Sequence, residues 1–327
     1  MIISNKLLYS SISPLCFYDS LDYQNHRKSY AFGQVYPLVI HGNEILPFQA
    51  VLNPVGETIE KVNLYDLNEG TVTDITARLA ANGLALIAHD GYKLLKYPGG
   101  KPVAEITHEG RYYLAVTISK LGPLYSEVFT SVNDVSRYLL LEYYSSRNFV
   151  FTRGCVDFSD NFKFKCYLAA QVGKPEYIFE EEATERMGYT FIESQVSKKV
   201  HKFTFLAPEY LCDTLRIVRL CDFKRIKEGP KVYDLSTFSM NPEWEEQGDL
   251  AAVECEFETD TVIVRVAGGV PEITVGASGT DNSFEVNWEE EIGVSQIVSM
   301  PQEELDAMAE NGECAEGVLY LGLENEE

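Results

Sequence analysis

The clearest pattern in the chain is an alternation of apolar and polar positions near residue 250. From Leu250 to Glu258, small or apolar side chains occupy every second position, and glutamate fills most of the others. Because successive side chains of a β-strand point to opposite faces, this run predicts a strand with one buried face and one solvent face. A second β-rich run, Val200 to Leu206, places Phe203 and Phe205 on one side and predicts a partner strand.

A short helix is predicted between these two runs, at about residues 208–220. Pro208 fits the first turn, where a missing N–H costs little. Leu211, Leu215 and Val218 follow with the i, i+4, i+7 spacing of one helix face. Arg216 and Arg219 lie beside or opposite that stripe, so we expect them to face solvent or a partner.

Short strands separated by turns dominate the rest of the chain. The sequence His89-Asp90-Gly91 between two apolar runs indicates a hairpin, and Asp74 with Asn82-Gly83 brackets a short helix. Arg111 to Ser119 alternates clearly. The spacing of these turns favours a mainly β fold: two β-sandwich or barrel-like domains with short helices, plus a small acidic C-terminal β domain.

The predicted organisation is an N-terminal arm at 1–28, a β domain at 29–130, a second β domain at 131–265 and an acidic β appendage at 266–327. The arm either orders against a neighbour or is a plain surface segment. Glu180-Glu181-Glu182 is predicted to open a polar loop that runs to Gly188. In the appendage, Ser299 and Gln302 form a capping box that predicts a helix ending at Asn311-Gly312.

Charge supplies the strongest boundary signal. The net charge is −23, and 15 of the 50 acidic residues lie after Arg265, the last basic residue of the chain. Such a balance disfavours nucleic-acid binding through phosphate contacts. No run approaches the roughly 18 apolar residues of a membrane span. The seven cysteines are odd in number and lack C-x-x-C spacing, which indicates buried free thiols in a reducing compartment.

No catalytic, metal or cofactor site is predicted. The chain lacks the G-x-S-x-G, H-E-x-x-H and Walker A patterns, and the five histidines do not cluster with cysteine. His89-Asp90 lies in a turn with no serine partner, and the three glutamates at 180–182 are more typical of a solvated charge run than of an acid–base pair. Exposed aromatic residues could stack on sugars. The candidates are Tyr112-Tyr113, Tyr143-Tyr144, Trp244 and Trp288.

Several segments, in consistent order between about residues 17 and 262, resemble a structural protein family of tailed phages and prophages of Bacteroides-type gut bacteria, including the crAss-like phages. These segments are Phe17-Tyr18-Asp19-Ser20-Leu21-Asp22, Gly110-Arg111-Tyr112-Tyr113-Leu114, Tyr125-Ser126-Glu127-Val128-Phe129, Gly173-Lys174-Pro175-Glu176-Tyr177, the run Phe203-Thr204-Phe205-Leu206-Ala207-Pro208-Glu209-Tyr210-Leu211-Cys212-Asp213, and Trp244-Glu245-Glu246-Gln247-Gly248-Asp249-Leu250-Ala251. The block from Phe203 to Asp213 is the most specific. The acidic region after Arg265 lies outside the resemblance.

The resemblance implies a non-enzymatic virion component without cofactors, a ring-forming subunit of the tail or of the neck between portal and tail. Its expected partners are copies of itself and neighbouring tail, neck or portal proteins, with assembly in the bacterial cytoplasm. No sequence-specific nucleic-acid binding is expected. An acidic appendage facing a DNA conduit would repel phosphates and let DNA slide, whereas one facing outward would be a solvated decoration.

Two other classes of function remain open. The alternative is a surface-binding module that presents Trp244 or Trp288 to host glycans. The predicted interaction surface comprises these two residues with Arg216 and Arg219. A hydrolase with an unrecognised site is the third class, and the scarcity of histidine weighs against it.

Overall fold

The computed structural model describes residues 6–9, 11–21, 38–186, 189–244, 250–259, 263–266, 296–301 and 318–323. The chain divides into two compact units, which are Met1–Ser278 and Gly279–Glu327. The described part is mainly β, which confirms that part of the predicted fold class, and the number and type of the β domains stay a prediction. None of its helices has the length and apolar character needed to span a membrane.

Twenty-three strands are present in the described residues. In chain order they are β1 (Leu7–Tyr9), β2 (Phe17–Tyr18), β3 (Leu38–His41), β4 (Phe48–Leu52), β5 (Ile59–Asp66), β6 (Val72–Asp74), β7 (Ala85–His89), β8 (Tyr92–Tyr97), β9 (Gly110–Ile118), β10 (Gly122–Ser126), β11 (Phe129–Val132), β12 (Leu139–Tyr144), β13 (Phe149–Phe151), β14 (Gly154–Val156), β15 (Phe164–Leu168), β16 (Glu176–Arg186), β17 (Tyr189–Pro208), β18 (Phe223–Glu228), β19 (Lys231–Trp244), β20 (Leu250–Thr259), β21 (Ile263–Val266), β22 (Gln296–Pro301) and β23 (Val318–Leu323). The helices are α1 (Thr76–Ala81), α2 (Glu209–Leu215) and two 3₁₀ turns, Ser159–Asn161 and Val218–Leu220.

The largest sheet joins fifteen strands and has two halves that meet at one residue pair. One half has the order β16-β17-β20-β19-β18-β12-β15, with β21 beside β17. The other has the order β3-β11-β9-β10-β2, with β5 beside β9 and β6 beside β5. Tyr167 of β15 lies opposite Val39 of β3 at the junction. The junction separates strands of residues 17–132 from strands of residues 139–266, and the domain boundary expected near residue 130 stays a prediction.

A smaller sheet of four strands, in the order β1-β4-β8-β7, packs against the half that contains β3, β11, β9, β10 and β2. The ring of Phe48 in β4 lies 4.9 Å from that of Phe17 in β2 and 5.2 Å from that of Tyr97 in β8. Ile12 and Leu15 are buried in the same core. The described residues 6–9 and 11–21 therefore pack within the unit, because their apolar side chains fill space between the two sheets, and the arm expected at 1–28 stays a prediction.

Local sequence signals explain several turns. Asp74 Oδ1 accepts hydrogen bonds from the Thr76 backbone N–H at 3.0 Å and hydroxyl at 2.6 Å, which stabilises the start of α1. Gly83, at φ +105°, ends that helix. Asp90 and Gly91 form the two-residue turn between β7 and β8, and Gly91 has a positive φ, which glycine adopts without steric cost.

A buried ion pair attaches the small β13–β14 hairpin region to the four-stranded sheet. Lys96 of β8 places its Nζ 2.7 Å from Asp157 Oδ2, and it donates two further hydrogen bonds to the hydroxyl and carbonyl oxygens of Ser159. The Asp157 backbone also exchanges hydrogen bonds with the Gln49 side-chain amide. Burial alone would raise the pKa of Asp157, but hydrogen bonds from Lys96 and Ser159 outweigh it and hold the pKa below its ordinary value.

The predicted core around residues 200–258 is present. In β20, Ala251, Val253, Cys255 and Phe257 are buried, and the intervening side chains face outward. The helix is shorter than expected: α2 begins after Pro208, and the 3₁₀ turn Val218–Leu220 follows it.

The second unit is described only at two strands. β22 and β23 pair in parallel, with Gln296 opposite Val318. The helix expected to start at Ser299 is wrong at its first residues, because Gln296–Pro301 is a strand with a hydrogen-bonded partner. The rest of that helix lies outside the described residues.

Candidate interaction surface

The end of the large sheet carries the most distinctive surface of the described chain. β16 is the terminal strand there, and β17 is its one hydrogen-bonded neighbour among the described strands. Glu176 to Glu182, here called the β16 edge, lies exposed along its whole length. The loop expected at Glu180-Glu181-Glu182 is therefore wrong, because these residues continue the ladder opposite Val196, Gln195 and Ser194.

Three consecutive large apolar residues lie on the β16 edge. Tyr177 is 62% exposed, Ile178 42% and Phe179 61%. Tyr177 and Phe179 point to the side of the sheet on which β17 buries His201, Phe203 and Phe205. The apolar face of the core thus continues beyond the core onto an open strand.

Glutamates dominate the other positions of the β16 edge. Glu176, Glu180, Glu181 and Glu182 fall within seven residues that contain no lysine or arginine. Lysines of β17 partly balance them from the inner side: Lys198 Nζ lies 2.7 Å from Glu180 Oε1, and Lys202 Nζ lies 3.5 Å from Glu176 Oε2. The hydrogen bond that Lys198 donates to Glu180 raises the pKa of Lys198, and the charge of Glu176 raises the pKa of Lys202.

The face of the sheet that carries Glu176 and Glu180 is also acidic on β20, which lies beyond β17. Glu254 and Glu256 of β20 are exposed, and Lys202 lies 3.4 Å from Glu256 Oε2 as well as beside Glu176. Because cross-strand neighbours on one face lie about 5 Å apart, these carboxylates share one field. The β16 edge is therefore mainly aromatic on one side, where Glu181 follows Phe179, and mainly acidic on the other, where Ile178 lies between glutamates.

The residues predicted as an interaction surface lie elsewhere. Arg216 follows α2 and donates from Nη2 to the Tyr9 hydroxyl at 2.9 Å, and its Nη1 lies 3.8 Å from Asp213 Oδ1. Arg219 is exposed in the 3₁₀ turn that packs on β19. Trp244 ends β19 and is 46% exposed. Trp288 lies outside the described residues.

Several of the tyrosines considered for sugar stacking pack within the protein and are not available to a sugar. Tyr112 and Tyr143 are core residues, and Tyr113 is buried against Tyr65, with ring centroids 4.5 Å apart. Tyr144 stacks on Phe223 at 4.4 Å. These rings pack within the protein, so Trp244 is the sugar-stacking candidate that the described structure leaves open.

Sequence reasoning overlooked Tyr177, Ile178 and Phe179. The available signal was a run of three strongly β-forming residues directly after the turn at Gly173-Lys174-Pro175. The following glutamates suggested a loop because strands are usually poor in glutamate. The ion pair between Glu180 and Lys198 of β17 helps to stabilise the strand at these glutamates.

No group of three or more His, Cys, Asp or Glu side chains is placed to hold a metal ion within the described ranges. All six cysteines in those ranges are buried and unpaired. No protein-family model, curated protein or solved structure matches the chain.

Proposed function

We propose that this protein is a non-enzymatic structural subunit of a tailed-phage virion, located in the tail or in the neck between portal and tail. It forms rings with copies of itself and contacts neighbouring tail, neck or portal proteins, with genomic DNA as a passing cargo. It needs no cofactor, and it assembles in the bacterial cytoplasm. The resemblance of segments between residues 17 and 262 supports this assignment.

The observation that carries the proposal is the β16 edge. An open strand that exposes Tyr177, Ile178 and Phe179 is a template for pairing with another chain, and native proteins usually cover such an edge. In an assembled particle, a neighbouring chain would cover the β16 edge. The buried thiols agree with assembly under reducing conditions.

The proposal is tested by negative-stain electron microscopy and solution mass of the full-length protein over a concentration series, alone and mixed with the neck and tail proteins encoded beside it. Rings, a defined oligomer or a stable complex with those proteins are expected. A chain that stays monomeric in every mixture would overturn the proposal.

Trp244 favours a second candidate, a module that binds host-surface glycans. A half-exposed indole at the end of a strand can stack on a sugar ring. This function predicts polysaccharide binding by the monomer and its loss in Trp244→Ala. Binding to a panel of host polysaccharides, measured by glycan array, separates the two candidates.

A further inference from the structure

The β16 edge has two properties that together specify its partner: an outer side that pairs with no other described strand, and a strongly acidic side-chain pattern. In an antiparallel ladder, alternate residues of an edge strand direct both N–H and C=O outward. The six residues from Glu176 to Glu181 therefore offer about six backbone hydrogen bonds to an added strand. Backbone pairing alone accepts any extended segment, so the side chains determine which one binds.

A second copy of the same edge fits poorly. If two β16 edges paired antiparallel about Phe179, Glu176 would lie opposite Glu182 at both ends, and Ile178 would lie opposite Glu180. If they paired about Glu180, two copies of that carboxylate would face each other directly. Like charges opposite each other destabilise a sheet, so the glutamates disfavour pairing between identical edges.

A basic strand satisfies the same positions. Lysine or arginine opposite Glu176 and Glu180 would add an outer ion pair to each carboxylate that Lys202 and Lys198 approach from the inner side. Apolar residues at the intervening positions would cover Tyr177 and Phe179 on the other face. The required pattern is an alternation of basic and apolar residues with the period of a strand.

We propose that the β16 edge receives a strand from a different polypeptide of the assembly, one that alternates lysine or arginine with apolar residues. The proposal rests on the assembly role proposed above, because it names the partner chemistry of that role. The backbone ladder supplies affinity, and the charges select this strand over another copy of β16.

The probe is a blocked, fluorescent peptide of about eight residues, the length of an ordinary strand, that alternates lysine and valine. Its counterpart alternates glutamate and valine. Binding to the full-length protein is measured by fluorescence anisotropy, and hydrogen exchange with mass spectrometry locates the bound peptide. The lysine peptide should slow exchange of the amides in β16, and the glutamate peptide should not.

Two charge-swapped variants separate edge pairing from general attraction to an acidic protein. Glu176→Lys/Glu180→Lys changes the edge itself, at the two carboxylates that would face the basic residues of the added strand. Glu254→Lys/Glu256→Lys makes the same change in net charge on the inner strand β20. Both variants break ion pairs with lysines of β17. The edge variant should weaken the lysine peptide about tenfold and gain affinity for the glutamate peptide, whereas the control should change by less than about twofold.

Equal losses in the two variants, or binding without protection of β16, would overturn the partner assignment. Rings or virion complexes that form while β16 stays unprotected would also overturn it, and the structural function would stand. Circular dichroism of both variants checks that the fold is intact, which the exposure of all four side chains favours.

Discussion

The buried pair Lys96–Asp157 allows the most quantitative test of the structure. All three N–H groups of the ammonium are used, one on Asp157 and two on Ser159. Both partners are almost fully buried, with side chains only 7% exposed. Removing one partner of such a pair leaves an unbalanced buried charge, which typically costs about 3–5 kcal/mol.

The perturbation is a double-mutant cycle of Lys96→Met and Asp157→Asn. Each single variant should lose about 3 kcal/mol or more of unfolding free energy. The double variant removes both charges and keeps an acceptor for the Ser159 backbone N–H, so it should lose only about 1 kcal/mol. Because the two single losses add to about 6 kcal/mol and the double variant loses about 1 kcal/mol, the expected coupling between the two sites is about 5 kcal/mol or more.

Urea unfolding followed by circular dichroism measures these values by linear extrapolation. Lys61→Met is the matched control, because Lys61 lies 3.8 Å from Asp74 in a half-exposed pair that should contribute less than about 1 kcal/mol. If the double variant loses as much as the two single variants combined, the charges are not coupled and the reasoning is wrong.

The pH dependence of stability provides a second test of the Lys96–Asp157 pair. Because the pKa of Asp157 is lowered in the folded state, its stabilisation is present above the unfolded pKa and is lost as pH falls through the folded pKa. Wild-type protein should therefore lose more stability between neutral and acidic pH than Asp157→Asn. If both proteins lose the same free energy of unfolding between neutral and acidic pH, in urea unfolding at each pH, the predicted direction is wrong.

Three further outcomes are expected. Phe257→Ala, which empties a fully buried position between β17 and β19, should cost about 3–5 kcal/mol in urea unfolding, and a loss below 1 kcal/mol would show that the site is not a packed core. Burial raises the pKa of Cys166 to about 12 and that of Cys212 to about 11, so mass spectrometry should find neither labelled by iodoacetamide at pH 8 until urea unfolds the chain. Trp244→Ala should change stability by less than about 1 kcal/mol because the indole is half-exposed, and a larger loss would indicate packing that its exposure does not suggest.

Local patterns predicted much of the fold. The alternation at 250–258 predicted β20 with the correct buried face, and the turn at Asp90-Gly91 predicted the β7–β8 hairpin. Each of these signals is complete within about ten residues. The periodicity and turn chemistry that produce them are short-range.

The remaining features depend on neighbours far along the chain. Nothing near Leu38 indicates that β3 pairs in parallel with Phe129–Val132. Glu180-Glu181-Glu182 resembles a loop until Lys198 and the β17 ladder are placed beside it. The β16 edge was missed for the same reason, since exposure of an edge is a property of the finished sheet.

The single pairing of Tyr167 with Val39 has a consequence for synthesis of the protein. β3 lies between β11 and β15, so it lacks its second neighbour until residue 167 has left the ribosome. More than a hundred residues separate the two partners, and such long-range closure slows folding. Meanwhile, apolar strands of the emerging N-terminal half stay open to strands of other nascent copies. The rate of translation through residues 133–168 therefore sets how long each new chain is vulnerable to mispairing.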